Sequence, residues 1–319
     1  MDIKVSKIVA EQNSYQKQYI GNFFDLANLI EEIALHKNRQ DIKILLYAGH
    51  GLADALGTLN VLLFIAVIQK QLTPSQIYFH KQQYTNFHEF VTFDQIHLLK
   101  HYPADESVFD IVIVGGYYAG LYWNHQAHFR NYVSYSNALT EEAVKHTRQY
   151  GVHFRFKHQE LKERNIIKSE ITPEDELSNY MKRFLKVFRT DCDYFLCSDC
   201  TVVNDYIDKF SNIHTIHKTQ NQWSGVIRSK KHNRREDATS GVPNRKHPHG
   251  REDATAAMLD LAILSQCEVI YAGVDSGFPI AATLLSNKFI PLDQNIKTDC
   301  WPQSTIKDMC YKLGYLSAF

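Results

Sequence analysis

Ile42-Lys-Ile-Leu-Leu-Tyr47, followed by Gly49-His-Gly51 and Gly57, sets the reading of the fold. A short apolar run has the length and composition of a buried strand. The glycines after it suit a tight turn, and Thr58 to Gln69 reads as a helix. Strand, glycine turn and helix together open a Rossmann-like unit. The glycine spacing is not that of a dinucleotide fingerprint, so a dinucleotide site is not expected here.

The pattern continues outward from this stretch. Before it, residues 1–40 read as a polar lead-in with one amphipathic helix, Phe23 to Leu35. After it, Gln76 to His80 and Phe109 to Gly116 read as strands. Helix is expected over Thr140 to Arg148, and a second strand–helix series follows. Its strands are Tyr150 to Phe156, Asp193 to Ser198, Ile213 to His217 and Glu268 to Ala272. Its helices are Asp175 to Phe188, Thr201 to Phe210, Ala254 to Leu264 and Pro279 to Leu285. Strands alternating with helices predict an α/β fold with mainly parallel sheets. The expected division is a first Rossmann-like lobe over 1–145, a second over 146–300, and a tail over 301–319 returning to the first.

Composition narrows the function. Thirty-five basic residues balance 35 acidic ones, giving a formal net charge of +0. General nucleic-acid binding needs a basic bias, so it is not expected. The longest apolar stretch, Val61 to Ile68, is far short of the roughly 20 residues that span a bilayer. Met1-Asp2-Ile3-Lys4 lacks the apolar run of a signal peptide. The expectation is a cytoplasmic protein, peripheral to the inner face of a membrane where its acceptor is presented there. Six cysteines are too few for a disulfide scaffold. Cys197-Ser-Asp-Cys200 has no second pair to complete a zinc site, so no metal is expected and buried thiols are the better reading.

Ligands of doubly wound sheets bind beyond the carboxyl ends of the strands. Three polar elements fall there. His153 and Arg155 share a strand face at period two, and an arginine so placed either grips a diphosphate through paired charged hydrogen bonds or forms a solvated strand end. Ser198-Asp199 ends a strand, offering a carboxylate to ribose or base N–H groups, or simply capping the next helix. Gly273-Val-Asp-Ser-Gly-Phe278 joins a strand to a helix. Its small residues, the Ser276 hydroxyl and the helix N-terminus suit an anion, and an ordinary turn is the alternative. In the first lobe His50, Gly51, Asp54 and Asn60 lie near the glycine turn, as acceptor or diphosphate contacts or as a capped helix start.

Arg235-Glu-Asp-Ala-Thr239 recurs as Arg251-Glu-Asp-Ala-Thr255, too short a repeat to define an architecture. The basic stretch between them reads as a loop, with its residues available to a diphosphate or an anionic glycan.

Taken together, these elements carry a family resemblance over roughly residues 145–290. Gly151-Val-His-Phe-Arg155 resembles the (V/I)-H-(V/I)-R-R motif of the fucosyltransferase superfamily, which includes nodulation and protein O-fucosyltransferases. Phe195-Leu-Cys-Ser-Asp199 is similar to their strand ending in Thr-Asp. Leu259-Asp-Leu-Ala-Ile-Leu-Ser-Gln-Cys267 is similar to their Leu-Ser helix end, and Val274-Asp-Ser-Gly-Phe278 to their serine turn.

The resemblance implies a GT-B-like fold, two Rossmann-like lobes facing a cleft. It implies an inverting, metal-independent glycosyltransferase using GDP-fucose or a related GDP-sugar to glycosylate a polysaccharide or glycoconjugate. No cofactor beyond this nucleotide-sugar co-substrate is implied. By the resemblance Arg155 holds the β-phosphate, and His153, Asp199, Asp253, Asp275, Ser276, Gly277 and Phe278 form the nucleotide site. Glu163, with Glu160 nearby, stands where a base is kept. The sequence departs from the family at Phe156-Lys-His158, where Asp or Gly-Asn is common, and carries one serine in the turn. A UDP-, ADP- or CMP-sugar donor, or a non-catalytic nucleotide- or glycan-binding protein on the same fold, is therefore the alternative.

Overall fold

In the computed structural model the chain divides into two units, Met1–Thr140 with Lys230–Met258, and Glu141–Ser229 with Leu259–Phe319. The structure describes residues 9–11, 14–19, 30–31, 34–35, 41–48, 52–81, 86–114, 126–155, 173–198, 203–216, 255–272, 277–286 and 292–293.

In the first unit, β1 (Val9–Glu11) and β2 (Ser14–Tyr19) form an antiparallel hairpin. Strand β3 (Ile44–Ala48) is buried along its whole length, as a strand covered on both faces must be. Helix α1 (Leu52–Leu63) follows, then β4 (Ile77–Lys81), a short helix α2 (Phe87–Phe90), β5 (Val91–Phe93), β6 (His97–Leu99) and β7 (Ile111–Val114). Helix α3 (Gln126–Phe129) and β8 (Val133–Tyr135) end the series. The main sheet has the order β1-β2-β7-β3-β4-β6, parallel throughout except for the β1–β2 hairpin. Strands β5 and β8 form a separate antiparallel pair.

Two expectations need correction here. Residues 9–11 and 14–19 are strands, not a lead-in, and β2 is held by parallel pairing that sets Lys17 opposite Ile111. The helix expected from Thr58 starts at Leu52 and runs through Gly57. Leu52, Ala55, Leu56 and Leu59 are all buried at helical spacing. Their burial outweighs the roughly 1 kcal/mol that a helical glycine costs. Helix α1 continues as a π-helical turn over Phe64–Gln69, and Gln71 then reverses the chain at a φ of 58°.

Helix α4 (Asn137–His146), which runs across the division at Thr140, leads into β9 (Tyr150–Phe154), α5 (Pro173–Phe184) and β10 (Tyr194–Ser198) of the second unit. The short α6 (Asn204–Ile207) and β11 (Ile213–His214) follow. Then come α7 (Thr255–Leu264), which runs across the division at Met258, β12 (Val269–Ala272), α8 (Gly277–Leu285) and β13 (Leu292–Asp293). The sheet order is β11-β10-β9-β12-β13, with every pairing parallel. The strand–helix alternation predicted this mainly parallel α/β fold.

Alternation along β9 sorts its side chains. Val152 and Phe154 enter a core with Tyr180, Phe184, Tyr194 and Leu196. Each large apolar side chain so buried contributes about 1.5–3 kcal/mol. Gly151 lies against α7. A Cβ there would meet Leu264 Cδ2 at 2.6 Å, so glycine sets how closely this helix approaches the strand. Buried residues run unbroken along α7 from Asp260 to Leu264, as in a helix enclosed on all sides.

Candidate functional site at the sheet switch point

From β9 the chain of the second unit builds outward to β10 and β11, then crosses to β12 and β13 on the other side. Strand order reverses between β9 and β12, and such a reversal opens a crevice beyond the carboxyl ends of the two strands. His153, second from the end of β9, stands in register between Cys197 and Ala272. Only 5% of it is exposed, and its ring stacks on Phe278 at 5.2 Å and 20°. Phe278 is the second residue of α8, whose N-terminus therefore lies next to the end of β9. Two elements far apart in sequence thus meet at the switch point.

The β9 ladder stops at Phe154, and Arg155 follows immediately. Its backbone is held by Tyr180 of α5. The phenol accepts from the Arg155 N–H at 3.3 Å and donates to the Arg155 carbonyl. Tyr180 is fully buried and stacked on Phe154 at 4.7 Å. It sits on the apolar face of an amphipathic helix, and the only sequence signal for its role is that a buried tyrosine needs a partner for its hydroxyl.

Gly277 and Phe278 open α8 as part of the expected nucleotide turn. Glu160, Glu163, Asp199, Asp253, Asp275, Ser276, His50 and Gly51 lie outside the described residues, as does the side chain of Asp54. Asn60 is fully buried in α1, which corrects its placement at a ligand-facing surface. The earlier start of α1 puts it two turns inside the helix. Asp260, which sequence reading did not single out, is buried in α7, and burial raises its carboxyl well above the ordinary aspartate range. Cys192, Cys197 and Cys267 are buried free thiols, and no group of metal-ligating side chains occurs among the described residues. Among those residues no helix is long and apolar enough to cross a membrane.

The first unit has its own polar carboxyl edge. Lys81, buried at the end of β4, donates to the Ala48 carbonyl at the end of β3 at 3.2 Å. His80 Nδ1 lies 2.9 Å from the Leu99 carbonyl, which only accepts, so Nδ1 carries the proton. Burial holds the His80 pKa below its ordinary value, opposed by that hydrogen bond and reinforced by the charges of Lys81 and His101. Tyr47 stacks beside His80 at 5.7 Å, and burial, with Glu106 adding to it, pushes its phenol well above the usual range.

No protein-family model matches the chain, and no curated protein matches it significantly in sequence. Among solved structures it is similar to the NodZ α-1,6-fucosyltransferase soaked with GDP-fucose, at 13% identity and a TM-score of 0.43, covering 80% of this chain and 97% of that one. It is also similar to Arabidopsis thaliana FUT1 in complex with GDP, at 8% identity and a TM-score of 0.43, covering 86% and 79% of the two chains. A third likeness is to POFUT1 in complex with GDP, at 9% identity and a TM-score of 0.33, covering 90% and 87%.

Proposed function

We propose that the chain is an inverting glycosyltransferase that binds a GDP-linked sugar at the switch point of its second unit. The donor is GDP-fucose or a related GDP-sugar, and the acceptor is a hydroxyl of a polysaccharide or glycoconjugate. The observation that carries this reading is the meeting of His153, Phe278 and the anchored Arg155 where strand order reverses. The same residues carry the sequence resemblance.

In this reading the Arg155 guanidinium grips the diphosphate through paired charged hydrogen bonds. The N-terminus of α8 adds backbone N–H groups and a favourable dipole. The acceptor oxygen attacks the anomeric carbon, and the bond from that carbon to the phosphate oxygen breaks. The electron pair leaves with GDP, and the acceptor proton passes to a base. Charge grows on the departing phosphate, so a fixed cation there favours the transition state over the ground state. Arg155 in this role needs no metal. Glu163 or Glu160 is the expected base.

Thermal melting with GDP, UDP, ADP and CMP, without added metal, tests the reading. A ligand at about 100 times its Kd stabilises by about 2.7 kcal/mol. The expected result is a selective rise with GDP, lost in Arg155→Ala while the unliganded melt is retained, followed by GDP release from GDP-fucose with an acceptor. A rise with another nucleotide replaces the donor. GDP binding without turnover on any acceptor favours a non-catalytic binding protein.

A further inference from the structure

At the opposite, amino end of the second sheet lies a cavity of about 250 Å³. His146, Arg148, His214 and Thr215 line it, with Phe195 and Ile216 contributing apolar surface. Arg148 and His214 also line an adjoining groove with Asp191 and Asp193.

The charged groups around this cavity differ in how they are paired. Glu142 accepts from Lys145 at 2.6 Å and lies 3.2 Å from His146. Asp191 is gripped by both Nε and Nη2 of Arg189, at 3.1 and 2.7 Å. Asp193 lies 3.6 Å from His214. Glu142 and Asp191 are thus each paired with a fixed cation, whereas Asp193 has only the neighbouring His214 imidazole. Among the described residues Arg148 stands in no ion pair of this kind. Its guanidinium donates once, to the Thr147 carbonyl at 2.9 Å, and has no carboxylate partner among the described residues. Five N–H donors in a fixed fork, half-buried beside an apolar floor and mostly unspent, match an incoming oxyanion.

We propose that this cavity binds a small organic oxyanion, a phosphate or carboxylate carried on a body about the size of one ring. Arg148 takes the anion. The Thr215 hydroxyl adds a donor, the imidazoles of His146 and His214 flank the anion, and the body rests on Phe195 and Ile216. The five residues of β9 separate this end of the sheet from the switch point by about 16 Å. The cavity is therefore a second site, independent of the proposed donor site.

Isothermal titration of the full chain with phenyl phosphate, benzoate and inorganic phosphate tests it. A ring-bearing anion is expected to bind more tightly than inorganic phosphate, and the preferred one of the two identifies the oxyanion. Arg148→Gln is expected to weaken that binding about tenfold or more, the loss of a charge-assisted pair of bonds. Thr215→Phe, which fills the cavity and leaves Arg148 in place, is expected to abolish it. The melt without ligand and the response to GDP stay unchanged in both variants. No binding of either ring-bearing anion, equal binding by Arg148→Gln, or inorganic phosphate bound as tightly as the ring-bearing anions overturns the proposal.

Discussion

Gly151→Ala puts the packing of β9 against α7 under direct test. The new Cβ would lie 2.6 Å from Leu264 Cδ2, 3.3 Å from Cys267 Sγ and 3.5 Å from Ile270 Cγ1. Carbon atoms settle at about 3.5–4.0 Å, so Leu264 must retreat by about 1 Å. Leu264 is fully buried, and its retreat displaces its neighbours. Overpacking of this kind costs about 1–3 kcal/mol, or about 2–4 °C of Tm per kcal/mol. Thermal melts of Gly151→Ala, Leu264→Ala and the double variant form a cycle. Leu264→Ala alone costs about 2–5 kcal/mol. In its background the added methyl group has room, so its cost should fall by at least about 1 kcal/mol. An undiminished cost would refute the argument that Leu264 is what glycine accommodates. Because His153 is two residues along the same strand, nucleotide response measured on these variants also shows how tightly the switch point depends on this contact.

Two further outcomes follow from buried polar groups. Tyr180→Phe keeps the ring stacked on Phe154 and removes the hydroxyl that holds both backbone groups of Arg155. It should cost about 1–3 kcal/mol in thermal melting and weaken nucleotide response, and an unchanged variant in both measurements removes Tyr180 as a positioning residue. Asp260 keeps its proton in the folded protein above the ordinary aspartate value of 3.8, where the unfolded chain has released it. Stability therefore falls as pH rises from that value until Asp260 ionises in the folded state too. Asp260→Asn should flatten this slope in melts from about pH 4 to about pH 8, and parallel curves for the two proteins reject the assignment.

The strands that sequence reading found were those with continuous apolar runs. Ile44–Ala48, Ile111–Ile113 and Tyr194–Cys197 are buried residue by residue and so are apolar throughout. Strands β1, β2, β5, β6, β8 and β13 were missed because short or polar strands are fixed by pairing with distant partners, which no local pattern records. Ser14–Tyr19 has only its ladders with β1 and β7 to identify it. His153 was legible because a polar residue inside an apolar strand stands out. Its stacking on Phe278 was not, since that contact depends on β12 lying beside β9. Tyr180 was hidden for a related reason. A tyrosine on the buried face of a helix reads as core until its hydroxyl is seen to reach a backbone, here 25 residues away.

The place of β9 at the middle of its sheet has a consequence for the order of assembly. Gln149 and Glu268, which bond side by side where β9 and β12 begin, are 119 residues apart. Closing a loop of that length costs about 4 kcal/mol of chain entropy before any contact across it returns stability. Pairing β9 with β10 closes a shorter loop, at about 1 kcal/mol less, so this half of the sheet is expected to form first. The switch point is completed only when β12 docks, which makes it a late product of folding. Hydrogen exchange during refolding should therefore protect amides of β10 before those of β12.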